Sequence, residues 1–167
     1  DYLMWLDADD LILDTDIQKL LDFKTAKQSK VDVFMLKYVA GFDKDFNPTF
    51  SYYRERMVKR SSNFVWQDPV HEVIVPRGEI KYLDINIYHN KIKPSEEGRN
   101  LRIYKKMLAQ GKTLSPRQKF YYARELMFNK RYDEAIVGLK SFLQDKNGWI
   151  ENKIEACVNL AGCYKAK

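Results

Sequence analysis

The 167-residue chain reads as a mixed α/β unit followed by an all-α tail. Two observations carry that reading. Up to about Pro94 the apolar residues repeat at strand spacing or run continuously in short, β-rich segments. Beyond Pro94 the repeat lengthens to helical spacing and stays there. Strands first and helices afterwards argue for two structural units, 1–94 and 95–167.

Residues 2–6 in "DYLMWLDADDLIL" form an apolar run expected to be a short, fully buried strand. Thr15 and Gln18 have capping-box spacing for a helix carrying Ile17, Leu20 and Leu21. "VDVFMLKYVA" (31–40) is apolar on both faces and belongs inside a sheet. "DKDFNPT" (43–49) has turn composition, so "FSYYRERMVKR" (50–60) can pair back as a hairpin. "HEVIVPRGEIKYLDINIYH" (71–89) reads as strand, turn at Pro76-Arg77-Gly78, strand. Its second strand places Leu83, Ile85 and Ile87 toward the core, with Tyr82, Asp84, Asn86 and Tyr88 opposite.

In the tail, Ser95 can cap a helix with Glu96 and Glu97 in its first turn, Lys105 and Lys106 near its end and Gly111 beyond it. Ser115-Pro116 supplies a second cap with proline at the first helical position. A tight turn is expected at Asn129-Lys130, and a last helix at about 151–166.

Composition narrows the function classes. Hydrophobic residues make up 45% and charged residues 31%, as in ordinary globular domains rather than disordered chains. No apolar run approaches a membrane span. Cys157 and Cys163 make no CxxC pair and read as buried thiols in a reducing compartment, which makes the cytoplasm the expected location. The net charge of +6 is uneven: residues 1–50 carry six Lys/Arg against ten Asp/Glu, leaving the remainder strongly basic. The basic residues are scattered at helical spacing, as on a solvated surface, and nothing resembles a nucleic-acid-reading motif.

Three acids among four residues, Asp7, Asp9 and Asp10, are the sharpest chemical signal. Carboxylates this close repel unless a cation or donors compensate, and all-oxygen ligation suits Mg²⁺ or Mn²⁺. An EF-hand loop counted from Asp7 would need glycine and glutamate where Ile12 and Gln18 stand. A dehalogenase-type phosphatase begins with a strand and Asp-x-Asp but wants Thr or Val next, where Asp10 follows. Acids that merely cap a helix are a third, structural reading.

The fourth rests on resemblance. "WLDADDLI" resembles the Asp-x-Asp segment of family-2 glycosyltransferases of the GT-A fold. "YYRERMVKRSSNFVWQDPVHEVIVPRG" and "DINIYHNK" resemble the following segments of a bacterial subgroup. Ala123 and Ala135, twelve apart and flanked by Leu126, Tyr132, Leu139 and Phe142, resemble a tetratricopeptide repeat. A second opening near Ala161-Gly162-Tyr164 is offset by 38 rather than 34 residues. A generic helical tail is the plain alternative.

The resemblance implies the C-terminal half of a GT-A nucleotide-diphospho-sugar transferase fold followed by a tetratricopeptide-like tail. It further implies that a nucleotide-binding half precedes this stretch, so that this chain alone would have little activity. The implied reaction is metal-dependent, inverting sugar transfer from a nucleotide-diphosphate donor, a uridine-linked sugar first, to a glycan, lipid-linked sugar or peptide. The location would be cytoplasmic or peripheral at the inner membrane face. Asp9 is the first expected metal contact. Asp7 would act beside it through the ribose or a metal-bound water, and Asp10 would support the donor. His89, with Lys91 and Lys93 nearby, is a third metal ligand, a diphosphate contact or a core histidine. Glu72 is the favoured general base and His71 a diphosphate or acceptor contact, an assignment that can be reversed. Both are expected at the start of a strand, on opposite faces. Trp66 stacks on a sugar or sits in the core. Arg54 and Arg56 read as solvated or paired. A non-catalytic module whose repeats bind a protein partner is the competing function.

Overall fold

The computed structural model describes residues 1–25, 30–90 and 96–167; Lys91, Lys93 and Ser95 lie outside them. The chain divides into two compact units, one of residues 1–67 and 71–94, the other of 68–70 and 95–167. The first unit is mixed α/β. Its strands are β1 (Tyr2–Met4), β2 (Asp10–Leu11), β3 (Val33–Phe42), β4 (Pro48–Lys59), β5 (Trp66–Gln67), β6 (Val73–Ile74) and β7 (Ile80–His89), with helix α1 (Asp14–Thr25) between β2 and β3. Five strands form one sheet in the order β1-β4-β3-β7-β2, and β5 and β6 form a separate ribbon. Among the described residues β3 and β7 pair in parallel, and the other pairings are antiparallel.

β3 is central because both its faces are apolar. Phe34, Leu36 and Tyr38 join Met57, Ile85 and Ile87 in one core, with Leu20 and Phe23 of α1 packed on it. Val33 and Met35 face the other way with Val58 and Ile74. The β3–β4 hairpin turns at Asp43, whose carboxylate accepts from the N–H groups of Asp45 and Asn47. β7 buries Ile85 and Ile87 as the alternation requires. Its pairing with β3 skips from Leu36↔Leu83 to Lys37↔Asn86. Two extra residues keep the same face inward, since side chains alternate with a period of two.

The beginning of the chain departs from expectation. β1 covers three residues rather than five and lies at an edge, with Leu3 55% exposed, and it runs antiparallel to β4. The acids therefore do not end a buried parallel strand. They lie in a connector, Trp5–Asp9, that leads from one sheet edge to the other. Four inter-strand steps measure about 19 Å, while six Cα steps reach only about 20 Å when extended. A turn at Asp7–Asp10 uses part of that reach (the Asp10 N–H donates to the Asp7 carbonyl at 3.0 Å). The sheet must therefore curl so that its edges approach.

α1 begins at Asp14, so Thr15 lies inside the helix and is not its cap. The helix is fastened by a buried acid: Asp16, 2% exposed, accepts from the Asn86 N–H and lies 3.2 Å from Lys19 Nζ.

The second unit contains α2 (Arg99–Ala109), α3 (Pro116–Phe128), α4 (Tyr132–Leu143) and α5 (Ile150–Ala166). α2 starts after Gly98 in the left-handed region at φ +69°, so Glu96 and Glu97 precede the helix rather than fill its first turn. Ser115 caps α3 in a full capping box with Gln118, and Pro116 opens the helix. Phe120, Ala123, Leu126, Ala135, Leu139, Phe142, Ala156 and Cys163 form the core. α3 and α4 approach closely: a Cβ on Gly138 would stand 2.9 Å from that of Ala123. Cys163 is buried but Cys157 is exposed, against the expectation for both. Residues 68–70 belong here because Asp68 accepts from Gln118 Nε2 at 2.6 Å and pairs with Arg117, while Val70 packs with Tyr104 and Leu114. Among the described residues no helix is long and apolar enough to cross a membrane.

Two substitutions test these packings. Asp16→Ala would leave the part-buried Asn86 N–H without its acceptor and lower stability by about 1–3 kcal/mol in urea unfolding. Ala123→Leu would overfill the α3–α4 contact and cost about 1–3 kcal/mol in the same measurement.

Candidate functional site

The site is built on the turn Asp7-Ala8-Asp9-Asp10. Besides the backbone bond already described, the Asp7 N–H donates to Asp10 Oδ2 at 2.9 Å, so the turn is closed from both ends. β2 then pairs Asp10 directly with His89, and the Asn90 N–H donates to the Asp9 carbonyl at 2.8 Å. This antiparallel ladder brings residues far apart in sequence to one place. Asp9, Asp10 and His89 each offer one ligand atom, all within 4.8 Å of one another. His89 Nδ1 and Asp9 Oδ1 are 3.9 Å apart, too far to hydrogen bond.

The donors left over fit a cation. The Asp10 side chain is fully buried, yet its Oδ1 makes no hydrogen bond to a described residue, and neither does the buried His89 Nδ1. Buried polar atoms without partners are costly and rare. Two carboxylate oxygens and one imidazole nitrogen can bind a divalent ion, the imidazole favouring Mn²⁺ over Mg²⁺. Asp10, rather than Asp7, thus stands in the cluster with Asp9 and His89.

Asp7 faces a second feature, a cleft of about 420 Å³ lined by Trp5, Leu6, Asp7, Arg54, Trp66, His71 and Glu72. Glu72 and His71 precede β6 in a bend rather than on the strand itself, and His71 takes φ +56°. Trp66 is half exposed at the cleft, its ring edge-on to Trp5 at 4.7 Å between centroids. Arg54 is held by Glu55 at 3.1 Å and donates to the Glu72 carbonyl at 3.3 Å. The structure thus places Asp7, His71, Glu72 and Trp66 around one cleft, and Asp9, Asp10 and His89 in one cluster.

The residue that sequence reading missed is Arg56. It is fully buried and ion-paired rather than solvated. Its Nη1 lies 2.9 Å from Asp10 Oδ2 and its Nη2 3.8 Å from Asp7 Oδ2. The closer contact is an ion pair out of hydrogen-bond alignment, and none of the three guanidinium nitrogens hydrogen bonds to a described residue. The guanidinium lies over the Trp5 ring at 3.8 Å and the Tyr38 ring at 4.6 Å. A signal was available: Arg54-Glu55-Arg56 runs straight into apolar Met57-Val58 in one strand, where charges are seldom free.

These groups shift one another's protonation. Burial first, then the Asp10 carboxylate, push the Asp7 carboxyl above its ordinary value against the pull of Arg56 and Arg54. Burial, followed by the negative charge of Asp10, raises the Tyr38 phenol. The chain matches no family model and no curated protein.

The Asp7 shift has a definite sign. A carboxyl raised in the fold favours the native state below its unfolded value, and that advantage is lost as pH rises through its folded value. Asp7→Asn, in EDTA, is expected to raise the melting temperature at neutral pH. The gain should vanish below the ordinary carboxylate range.

Proposed function

We propose that the chain carries the metal and acceptor side of a metal-dependent, inverting glycosyltransferase of the GT-A type, acting on a nucleotide-diphosphate sugar. The observation that carries this reading is the adjacency of two kinds of site. Asp7 lines the cleft with Glu72 and His71, and two residues on Asp9 begins the cluster with Asp10 and His89.

In this reading Asp9, Asp10 and His89 hold Mn²⁺ or Mg²⁺. A bound divalent ion supplies charge stabilisation for a departing diphosphate. Asp7 orients the donor from the cleft side, through its ribose or a metal-bound water. Glu72 takes the proton from the acceptor nucleophile, and His71 beside it contacts the acceptor or the diphosphate; the two roles are exchangeable on chemistry alone. Trp66, half exposed, offers a flat apolar face for a sugar ring. The cleft carries the carboxylates of Asp7 and Glu72 against the single guanidinium of Arg54, itself held by Glu55. That balance favours a neutral or cationic acceptor over an anionic one.

The helical unit supports a second, docking role. A cleft of about 360 Å³ is lined by Tyr122, Leu126, Asp133, Glu134, Val137 and Gly138, and Val137, Ile154 and Val158 are exposed. Such a surface suits an extended peptide, as an acceptor or as a partner. A purely non-catalytic module would leave the unpartnered Asp10 and His89 atoms without a purpose.

Two measurements on this site test the reading, with activity assayed in a longer protein carrying a nucleotide-binding half. Asp9→Asn should abolish Mn²⁺-dependent turnover of a uridine-diphosphate sugar. Glu72→Gln should lower kcat about 10²–10⁴-fold while Mn²⁺ binding to this chain is retained. Unchanged turnover in both variants would return the acids to a structural role.

A further inference from the structure

We propose that Arg56 is the resident counter-ion of the acidic turn. It acts as a positioning residue that keeps Asp7 and Asp10 together before any divalent ion arrives and leaves Asp9, the outer oxygen of Asp10 and His89 to face that ion. The ion-facing half rests on the metal-dependent reading; the counter-ion half does not.

The argument begins with the backbone. The β3–β4 register passes from Phe34↔Met57 to Met35↔Glu55, so Arg56 is the extra residue of a β-bulge. Bulges re-aim a side chain and bend the strand that carries them. On the other side of β4, β1 pairs only as far as Met4↔Met57, after which the Trp5 N–H donates to the Arg56 carbonyl at 3.2 Å. The Trp5 indole N–H also donates to the Glu55 carbonyl at 2.6 Å, locking the ring over the bulge. The acidic connector is therefore anchored to the same two residues that project the guanidinium beneath it.

The side chain fits that role and no ordinary one. Arg56 has no exposure, so it cannot itself reach an incoming phosphate. It is confined between the Trp5 and Tyr38 rings, which satisfy its faces but not its N–H edges. Those edges face Oδ2 of Asp10 and, at longer range, Oδ2 of Asp7, and not Asp10 Oδ1. One carboxylate is thus divided: Oδ2 lies against Arg56 and accepts from the Asp7 N–H, while Oδ1 hydrogen bonds to no described residue. Three acids and one guanidinium leave two net negative charges, which a single divalent ion cancels.

Charge and positioning predict opposite results when Arg56 is lost. Removing a cation beside metal ligands should, by charge alone, strengthen Mn²⁺ binding. Losing the group that orients the ligands should weaken it, and outer partners of this kind are worth about 10–100-fold in metal affinity. The test uses the full 167-residue chain with Arg56→Met, Arg56→Lys, Asp10→Asn and the Arg56→Met/Asp10→Asn pair. Melting in EDTA is expected to fall on the order of 10 °C in Arg56→Met. Asp10→Asn added to that background should restore part of the loss, and Arg56→Lys should keep most of the stability. Mn²⁺ titration followed by electron paramagnetic resonance is expected to show at least tenfold weaker binding in Arg56→Met, with recovery in Arg56→Lys.

Additive losses in EDTA would overturn the counter-ion role, and equal or tighter Mn²⁺ binding by Arg56→Met would overturn the positioning role. A wild-type chain that takes up no Mn²⁺ would overturn the metal-dependent reading and the ion-facing half with it, while the EDTA series still decides the other half. Should Arg56→Met not fold, Arg56→Gln takes its place in both measurements, with the same outcomes.

Discussion

A guanidinium and a carboxylate with no solvent exposure meet at 2.9 Å between Arg56 and Asp10, and the α/β unit is arranged around that contact. Neither charge could be buried alone, because an uncompensated ion inside a protein costs several kcal/mol. Their pairing explains three otherwise separate features. β4 bulges at Arg56, the connector crosses the sheet end over it, and Tyr38 of the central strand stays beneath it as an aromatic floor. Cation–π contact to two rings adds roughly 2 kcal/mol or more in such a dry setting. The acidic turn can then be tight without flying apart.

The second constraint is topological. Leading from β1 to β2, the connector must carry the chain between opposite sheet edges, and β2 must land beside the end of β7. That landing sets Asp10 opposite His89. The β5–β6 ribbon contributes Trp66 at its first strand and Glu72 just before its second. Cleft and cluster are thus two sides of a single five-residue connector. A shift of either edge strand would separate them.

Sequence patterns exposed the parts of this arrangement that follow local rules. The two apolar faces of 33–39 marked the central strand, the alternation of 83, 85 and 87 marked its parallel neighbour, and Ser115-Pro116 marked a helix start. The acids, His71, Glu72 and His89 were visible as chemical types, though nothing local said that His89 would sit with Asp10 rather than Asp7. Non-local pairings were invisible. A bulge leaves no periodic trace, so Arg56 looked like one more strand charge. An edge strand of three residues looks like a buried one when only its apolar letters are read. The left-handed φ at His71 and the attachment of 68–70 to the helical unit likewise depend on partners distant in sequence.

The division of Asp10 bears on how strongly the cluster could hold an ion. Three uncompensated acids would bind a divalent cation tightly and keep it. With Arg56 in place, one oxygen of Asp10 is already committed, Asp9 and His89 are each about one-third exposed, and the described residues offer three ligand atoms. A site of that size leaves coordination positions for water or for phosphate oxygens. Small divalent ions in phosphate chemistry are commonly bound through one or two carboxylates together with the substrate. On that basis the internal arginine does more than stabilise the turn. In the proposed reading it would leave a cation at Asp9, Asp10 and His89 short of ligands, which a diphosphate could supply.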